Sequence, residues 1–177
     1  KAKKSFLMVA RMIRNKGVFE FCKCARKVKE KYPDAVFDYL GWEGNVKVAD
    51  IKEYLDDGSV NYLGVTSDAR PYYEECTALI LPSYREGMPV SVMEAQATGR
   101  AVIVTNVAGC RETARDGYNG FIVPAANADA LAERAILMIE HPEETRKMGE
   151  NARLFAEENF DRKKINEKML AISEKIS

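Results

Sequence analysis

Two carboxylates eight positions apart, Glu86 and Glu94, bracket Gly87 and Pro89 in the middle of the chain. An apolar run, Ala78-Leu79-Ile80-Leu81-Pro82, precedes them, and a helical pattern follows. Where a strand hands over to a helix in an open α/β sheet, ligands bind just beyond the carboxyl ends of the strands. The incoming helix aims free N–H groups and its positive dipole end at that point, which favours a phosphate. Glu86 then belongs on the loop at the mouth, and Glu94 one to two turns into the helix. Carboxylates so placed can accept hydrogen bonds from hydroxyl groups at both ends of a phosphorylated sugar. Arg11 and Lys16 follow a second apolar run, Phe6 to Ala10, on a loop of the same kind. An Arg fork suits two phosphate oxygens, and a Lys acts as a point charge. Taken singly, each has a plainer reading: an exposed basic pair, a loop acid at 86, a charged helix residue at 94. Taken together, in that strand context, they point to a phosphate-and-hydroxyl site.

The elements that must hold these residues are legible as alternating patterns. Short apolar runs at 6–10, 35–40, 60–65, 78–82, 101–105 and 120–123 are bounded by turn residues, as buried parallel strands are. Between them lie helical stripes, one formed by Val18, Phe21, Cys22, Ala25 and Val28 and another by Leu131, Ala135, Met138 and Ile139. Repeated β-α alternation predicts an α/β fold: a doubly wound, Rossmann-like parallel sheet of about six strands with right-handed crossovers and helices on both faces. From residue 127 the chain reads as helical to its end, with breaks at His141-Pro142 and near Asn159-Phe160-Asp161.

Composition narrows the function classes. A chain of 177 residues fits one domain, and its zero net charge argues against a nucleic-acid binder. Residues 1–33 nevertheless hold eleven Lys or Arg against two acids, Glu20 and Glu30. A solvated helix face is the common role of such a run, and a basic patch for anionic lipid or donor phosphate is the alternative. Cysteines 22, 24, 76 and 110 form no Cys-x-x-Cys pair. Cys22 and Cys24 are expected on different sides of a helix, a poor metal site, and all four read as reduced thiols of a cytosolic protein. No G-x-G-x-x-G, Walker or Asp-x-Asp sequence occurs, which leaves little support for a dinucleotide oxidoreductase, a P-loop enzyme or a metal-held diphosphate. Side-chain cations and a helix dipole could neutralise a bound phosphate at this site, so neither metal nor cofactor is expected. His141, the sole histidine, stands at a helix end. Trp42 and the tyrosines are candidates to stack on a base, although packing is the commoner role.

The Glu86–Glu94 segment resembles the E-x7-E motif of the retaining, family 4 nucleotide-sugar glycosyltransferases, which have the GT-B fold. The similarity continues through Glu94-Ala95, Thr98-Gly99, Ala101-Val102-Ile103-Val104-Thr105, Gly109, Glu112 and Asp116-Gly117-Tyr118-Asn119-Gly120. It includes the upstream Ala10-Arg11-Met12-Ile13-Arg14-Asn15-Lys16-Gly17. It spans nearly the whole chain and concerns the C-terminal, donor-binding half of such an enzyme. The opening Lys1-Ala2-Lys3-Lys4, without an initiator Met, fits a segment of a longer protein whose N-terminal acceptor domain is not included. Residues 1–177 are accordingly expected to form one donor-binding domain.

This resemblance implies that Arg11 and Lys16 clamp the donor diphosphate, that Glu94 holds ribose hydroxyls and that Glu86 contacts the transferred sugar. Arg11, Lys16 and Glu86 are the implied catalytic residues, with Glu86 positioning the sugar rather than attacking it. Backbone N–H groups of Gly87 and Met88 would face sugar and phosphate. Pro89 replaces a Gly common at that place; it donates no N–H but suits a first helical position, so Val90 offers the next amide. Gly64 falls in the base-contacting segment, while Gly109, Glu112 and the 116–120 turn would be scaffold. The implied reaction moves a sugar from a nucleoside diphosphate, UDP being favoured, to a hydroxyl of a saccharide or lipid-linked acceptor. It keeps the anomeric configuration by front-face displacement, without a metal. Bacterial capsule or lipopolysaccharide assembly at the inner face of the membrane, with peripheral association, would be the setting. The alternatives are another GT-B enzyme, such as an epimerase or a glycogen-type synthase, and a non-catalytic nucleotide- or partner-binding domain.

Overall fold

A computed structural model describes residues 3–160. Six strands, β1 (Ser5–Val9), β2 (Val36–Leu40), β3 (Asn61–Tyr62), β4 (Ala78–Leu81), β5 (Ala101–Thr105) and β6 (Gly120–Val123), form one parallel sheet in the order 3-2-1-4-5-6. The helices are α1 (Val18–Lys31), α2 (Lys52–Asp56), α3 (Arg70–Glu75), α4 (Val90–Ala97), α5 (Ala128–Glu140) and α6 (Pro142–Asn159). Chain direction reverses its spread between β1 and β4, which pair through Phe6–Ala78 and Leu7–Leu79. That switch point opens a crevice at the carboxyl ends of the two strands, as the topology requires.

The continuous apolar character of β4 and β5 follows from their position. Every residue of both strands is buried, because helices cover the sheet from both sides. Helix α1 packs against α5, and α4 against α3 and α6. An aromatic cluster of Phe6, Phe21, Phe37 and Tyr39 fills the space between α1 and strands β1 and β2, with ring centroids 4.9–6.0 Å apart.

Two local expectations, the strand at 60–65 and the position of Pro89, need correction. The run at 60–65 yields only a two-residue edge strand, because Gly64 turns the backbone to φ 77° and its carbonyl accepts the Gly41 N–H at 2.8 Å. Cys22 and Cys24 are both buried, because α1 is enclosed by the sheet on one side and α5 on another. Pro89 is the N-cap of α4 rather than its first helical residue, its carbonyl accepting the Val92 N–H at 3.1 Å. The early cations along α1 keep to the commoner of their two readings, a largely exposed helix face, and several are paired with acids rather than left as an open basic patch. Lys4 pairs with Asp34, Arg26 with Asp57 and Glu53, Lys27 with Asp129, and Lys31 with Glu140.

Of the two breaks expected late in the chain, the one at His141-Pro142 falls where α5 gives way to α6, and the other where α6 ends. Asn127 caps α5 by accepting the Ala130 N–H at 2.9 Å, and His141 joins the two helices with Glu144 3.5 Å away. Helix α6 ends at Asn159; the helix expected beyond residue 160 lies outside the described residues. Among the described residues no helix is long and apolar enough to cross a membrane.

Candidate functional site

The loop after β1 is held against its neighbour so that alternate side chains face opposite ways. Met12 donates its N–H to the Trp42 carbonyl at 2.9 Å and accepts from the amides of Gly44 and Val46, each at 3.0 Å. Its side chain is fully buried, which leaves Arg11 directed to solvent at the mouth of the crevice. A short 3₁₀ turn over Arg14–Lys16 follows and ends in Gly17. The loop after β4 is tied to this one: the Tyr84 N–H donates to the Asn15 carbonyl at 2.8 Å, and Gly17 lies directly against the Pro82 backbone.

That tie brings Lys16 onto Glu86, seventy residues later in the chain, as an ion pair. The Glu86 side chain is only 7% exposed, so its charge needs partners. It has two, and both reach the same oxygen: Lys16 Nζ and the hydroxyl of Ser83, which donates to Glu86 Oε1 at 2.7 Å. Ser83 is itself fully buried, and the Thr105 hydroxyl at the end of β5 donates to its carbonyl. Beneath the loop sits Gly109, at φ 85°, where a Cβ would come 2.5 Å from the Glu86 carbonyl oxygen. The Gly109 N–H donates to Glu112 at 2.6 Å, which fixes the turn below. Cys110 lies close by; burial pushes its thiol up to about 11, so it stays protonated.

Glu94 stands in the second turn of α4, exposed, and accepts the Tyr73 hydroxyl at 2.9 Å. Tyr73 of α3 is almost wholly buried, and burial together with this bond raises its hydroxyl far above the ordinary phenol range. Tyr73 is therefore a permanent donor, and Glu94 is held on its α4 flank. Each expected carboxylate thus has a buried hydroxyl behind it. Neither Ser83 nor Tyr73 was singled out in the sequence. Ser83, three residues before Glu86, could have been found from spacing alone; Tyr73, twenty-one residues from its partner, could not.

The remaining expected residues lie around this frame. Glu94 lines a cleft of about 710 Å³ with residues 66–70, Tyr73 and Thr98. Arg11 lines a smaller depression of about 190 Å³ with Gly41, Trp42 and Val65. Thr66 and Ala69 border both. Gly64 turns the chain immediately before that shared border. Gly87 has open space on the side where a Cβ would project, and Met88 and Val90 are exposed. Val90 is the first residue of α4, so its N–H belongs to the group that a helix leaves unpaired at its start.

A 3-2-1-4-5-6 parallel sheet with cations, carboxylates and a helix start at its switch point defines a doubly wound α/β domain, with groups there that could take an anionic, hydroxyl-rich ligand. The sequence profile of the glycosyl transferases group 1 family matches residues 1–155, and the chain belongs to that family. The N,N'-diacetylbacillosaminyl-diphospho-undecaprenol alpha-1,3-N-acetylgalactosaminyltransferase of Campylobacter jejuni is 37% identical over 146 residues, which is 82% of this chain and 38% of that protein. The capsular polysaccharide biosynthesis glycosyltransferase CapM of Staphylococcus aureus is 27% identical over 91% of this chain and 43% of its own length. The chain thus spans about two-fifths of these curated relatives.

Solved structures agree on the fold. Anabaena HepE in complex with UDP superposes with a TM-score of 0.88 at 19% identity, over 98% of this chain and 49% of that one. The C-terminal domain of the LpcC glycosyl transferase of Francisella tularensis gives 0.80 at 23% identity, over 90% of this chain and 88% of that one.

Proposed function

We propose that this chain is the donor-binding domain of a retaining, family 4-type glycosyltransferase that uses a nucleoside diphosphate sugar, with UDP as the favoured nucleotide. The observation that carries the reading is the convergence of Lys16 and Glu86 at the switch point, with the start of α4 beside them. Support for UDP comes from the neighbours solved with it, among them HepE. In this reading Arg11 and Lys16 take the diphosphate, Glu94 the ribose hydroxyls, and Glu86 a hydroxyl of the transferred sugar. The amides of Gly87, Met88 and Val90 approach sugar and phosphate, and Gly64 borders the base.

Lys16 already neutralises Glu86, so an arriving diphosphate competes for the ammonium while a sugar hydroxyl comes to Oε2. The leaving diphosphate is stabilised by fixed cations and the α4 dipole, without a metal. It also helps to deprotonate the acceptor hydroxyl, which leaves the protein mainly positioning and charge stabilisation to supply. The acceptor, a saccharide or lipid-linked hydroxyl in capsule or lipopolysaccharide assembly, would be bound by an N-terminal domain. Work at the inner face of the membrane would follow from such an acceptor.

Calorimetric titration of the chain with UDP, GDP and ADP tests the reading, alongside Glu94→Ala and Lys16→Ala. One nucleotide should bind preferentially, and both variants should bind it at least tenfold more weakly. No binding of any nucleotide at millimolar concentration would overturn it.

A further inference from the structure

Trp42 is the sole tryptophan of the chain and is 58% exposed, although it sits at the end of a strand inside the nucleotide face. Its backbone is tied to the neighbouring segments. The Trp42 carbonyl accepts the Met12 N–H, the preceding Gly41 donates to Gly64, and the Gly41 carbonyl accepts the Tyr62 hydroxyl at 2.8 Å. A large exposed indole represents apolar surface that the fold itself does not use. Val65, 53% exposed, stands across the same depression, and Arg11 lines its edge.

We infer that Trp42 is the stacking platform for the base of the bound nucleotide, and so a determinant of nucleotide affinity. The inference rests on the nucleotide-site reading above. Of the two depressions on this face, the one at Trp42 is the more apolar, whereas the cleft at Glu94 is bordered by Thr66, Ser67, Asp68, Arg70 and Thr98. A nucleotide has one flat, weakly polar part, its base, and that part gains most from an aromatic face. Arg11 on the rim places a phosphate-binding cation beside the indole, and the shared border at Thr66 and Ala69 leads on toward Glu94. Trp42 therefore stacks on the base from one side while Val65 closes the other.

The test uses the indole as its own reporter. UDP titrated into the chain should change the Trp42 emission saturably, with the same midpoint as calorimetry. Trp42→Phe should bind UDP within about threefold of the unmodified chain, and Trp42→Ala roughly tenfold or more weakly, the loss expected for one base–aromatic stack. Pyrophosphate, which has no base, should bind the Trp42→Ala variant as it binds the original. Calorimetric UDP binding with unchanged emission and full affinity in Trp42→Ala would overturn the inference while leaving the nucleotide site standing. Equal loss of UDP and pyrophosphate would also overturn it, by marking Trp42 as structural. If the unmodified chain binds no nucleotide, both readings fall together.

Discussion

Gly109→Ala should damage the site from beneath, without touching any ligand. Gly109 has φ 85°, a conformation that costs an L-residue roughly 1–2 kcal/mol. The added methyl would also lie 2.5 Å from the Glu86 carbonyl oxygen and 2.8 Å from its carbon, where ordinary contact begins at 3.4 Å. The obstacle is backbone, which cannot swing aside as a side chain can, so the 86–87 loop must retreat by close to 1 Å. Overpacking of that kind adds roughly 1–3 kcal/mol. Thermal unfolding by circular dichroism should therefore show a fall of roughly 5–15 °C for a chain of this length. Gly117→Ala is the internal control, since Gly117 has φ 74° and nothing within 4 Å of its would-be Cβ. It bears the conformational cost alone, and the difference between the two variants isolates the clash. The retreat carries Glu86 away from Ser83 and Lys16, so UDP-hexose should lose its affinity advantage over UDP in Gly109→Ala only. In the full enzyme turnover should fall on the order of 100-fold, the usual effect of a 1 Å misplacement. Equal melting of the two variants, with the UDP-hexose advantage intact in both, would refute the account of Gly109 as the support of the Glu86 loop.

Two further outcomes follow from the polar and thiol groups around the sheet. Ser83→Ala removes the hydroxyl that orients Glu86; a bond to a charged acceptor of this kind contributes roughly 1.5–3 kcal/mol, so the UDP-hexose advantage over UDP should shrink about tenfold or more. Calorimetry with both ligands checks it, and unchanged UDP affinity separates an orienting role from general damage. The four buried cysteines should resist a thiol reagent at pH 8 in the folded chain and react fully in denaturant. Burial raises Cys22 and Cys76 to about 12 and Cys110 to about 11, from an ordinary 9.0. The folded state thus holds protons that the unfolded chain releases, so this contribution to stability is complete below pH 9 and is lost as pH climbs toward 11–12. Melting temperature measured from pH 8 to 11 should decline, and a flat profile would contradict the burial of these thiols.

The amino-acid sequence by itself determined the six parallel strands and the helices between them, because apolar runs bounded by turn residues read the same in the chain as in the sheet. It also placed the candidate site residues, Arg11, Lys16 and Glu86 on loops after strands and Glu94 within the helix that follows, because such junctions are local patterns. Contacts between distant segments were decided only by the tertiary structure. The pairing of Lys16 with Glu86 depends on loops that meet because β1 and β4 are neighbours, and nothing local to either residue encodes that adjacency. Tyr73 behind Glu94 depends in the same way on α3 packing against α4. The ion pairs along α1 have a related origin, because the partners Asp57, Asp129 and Glu140 arrive from later segments. Trp42 marks the same boundary from the other side: an indole reads alike in core and cleft, and only the assembled crevice left it standing in water beside Arg11. Periodicity and turn chemistry are properties of neighbouring residues, whereas burial and electrostatic partnership are properties of the packed whole.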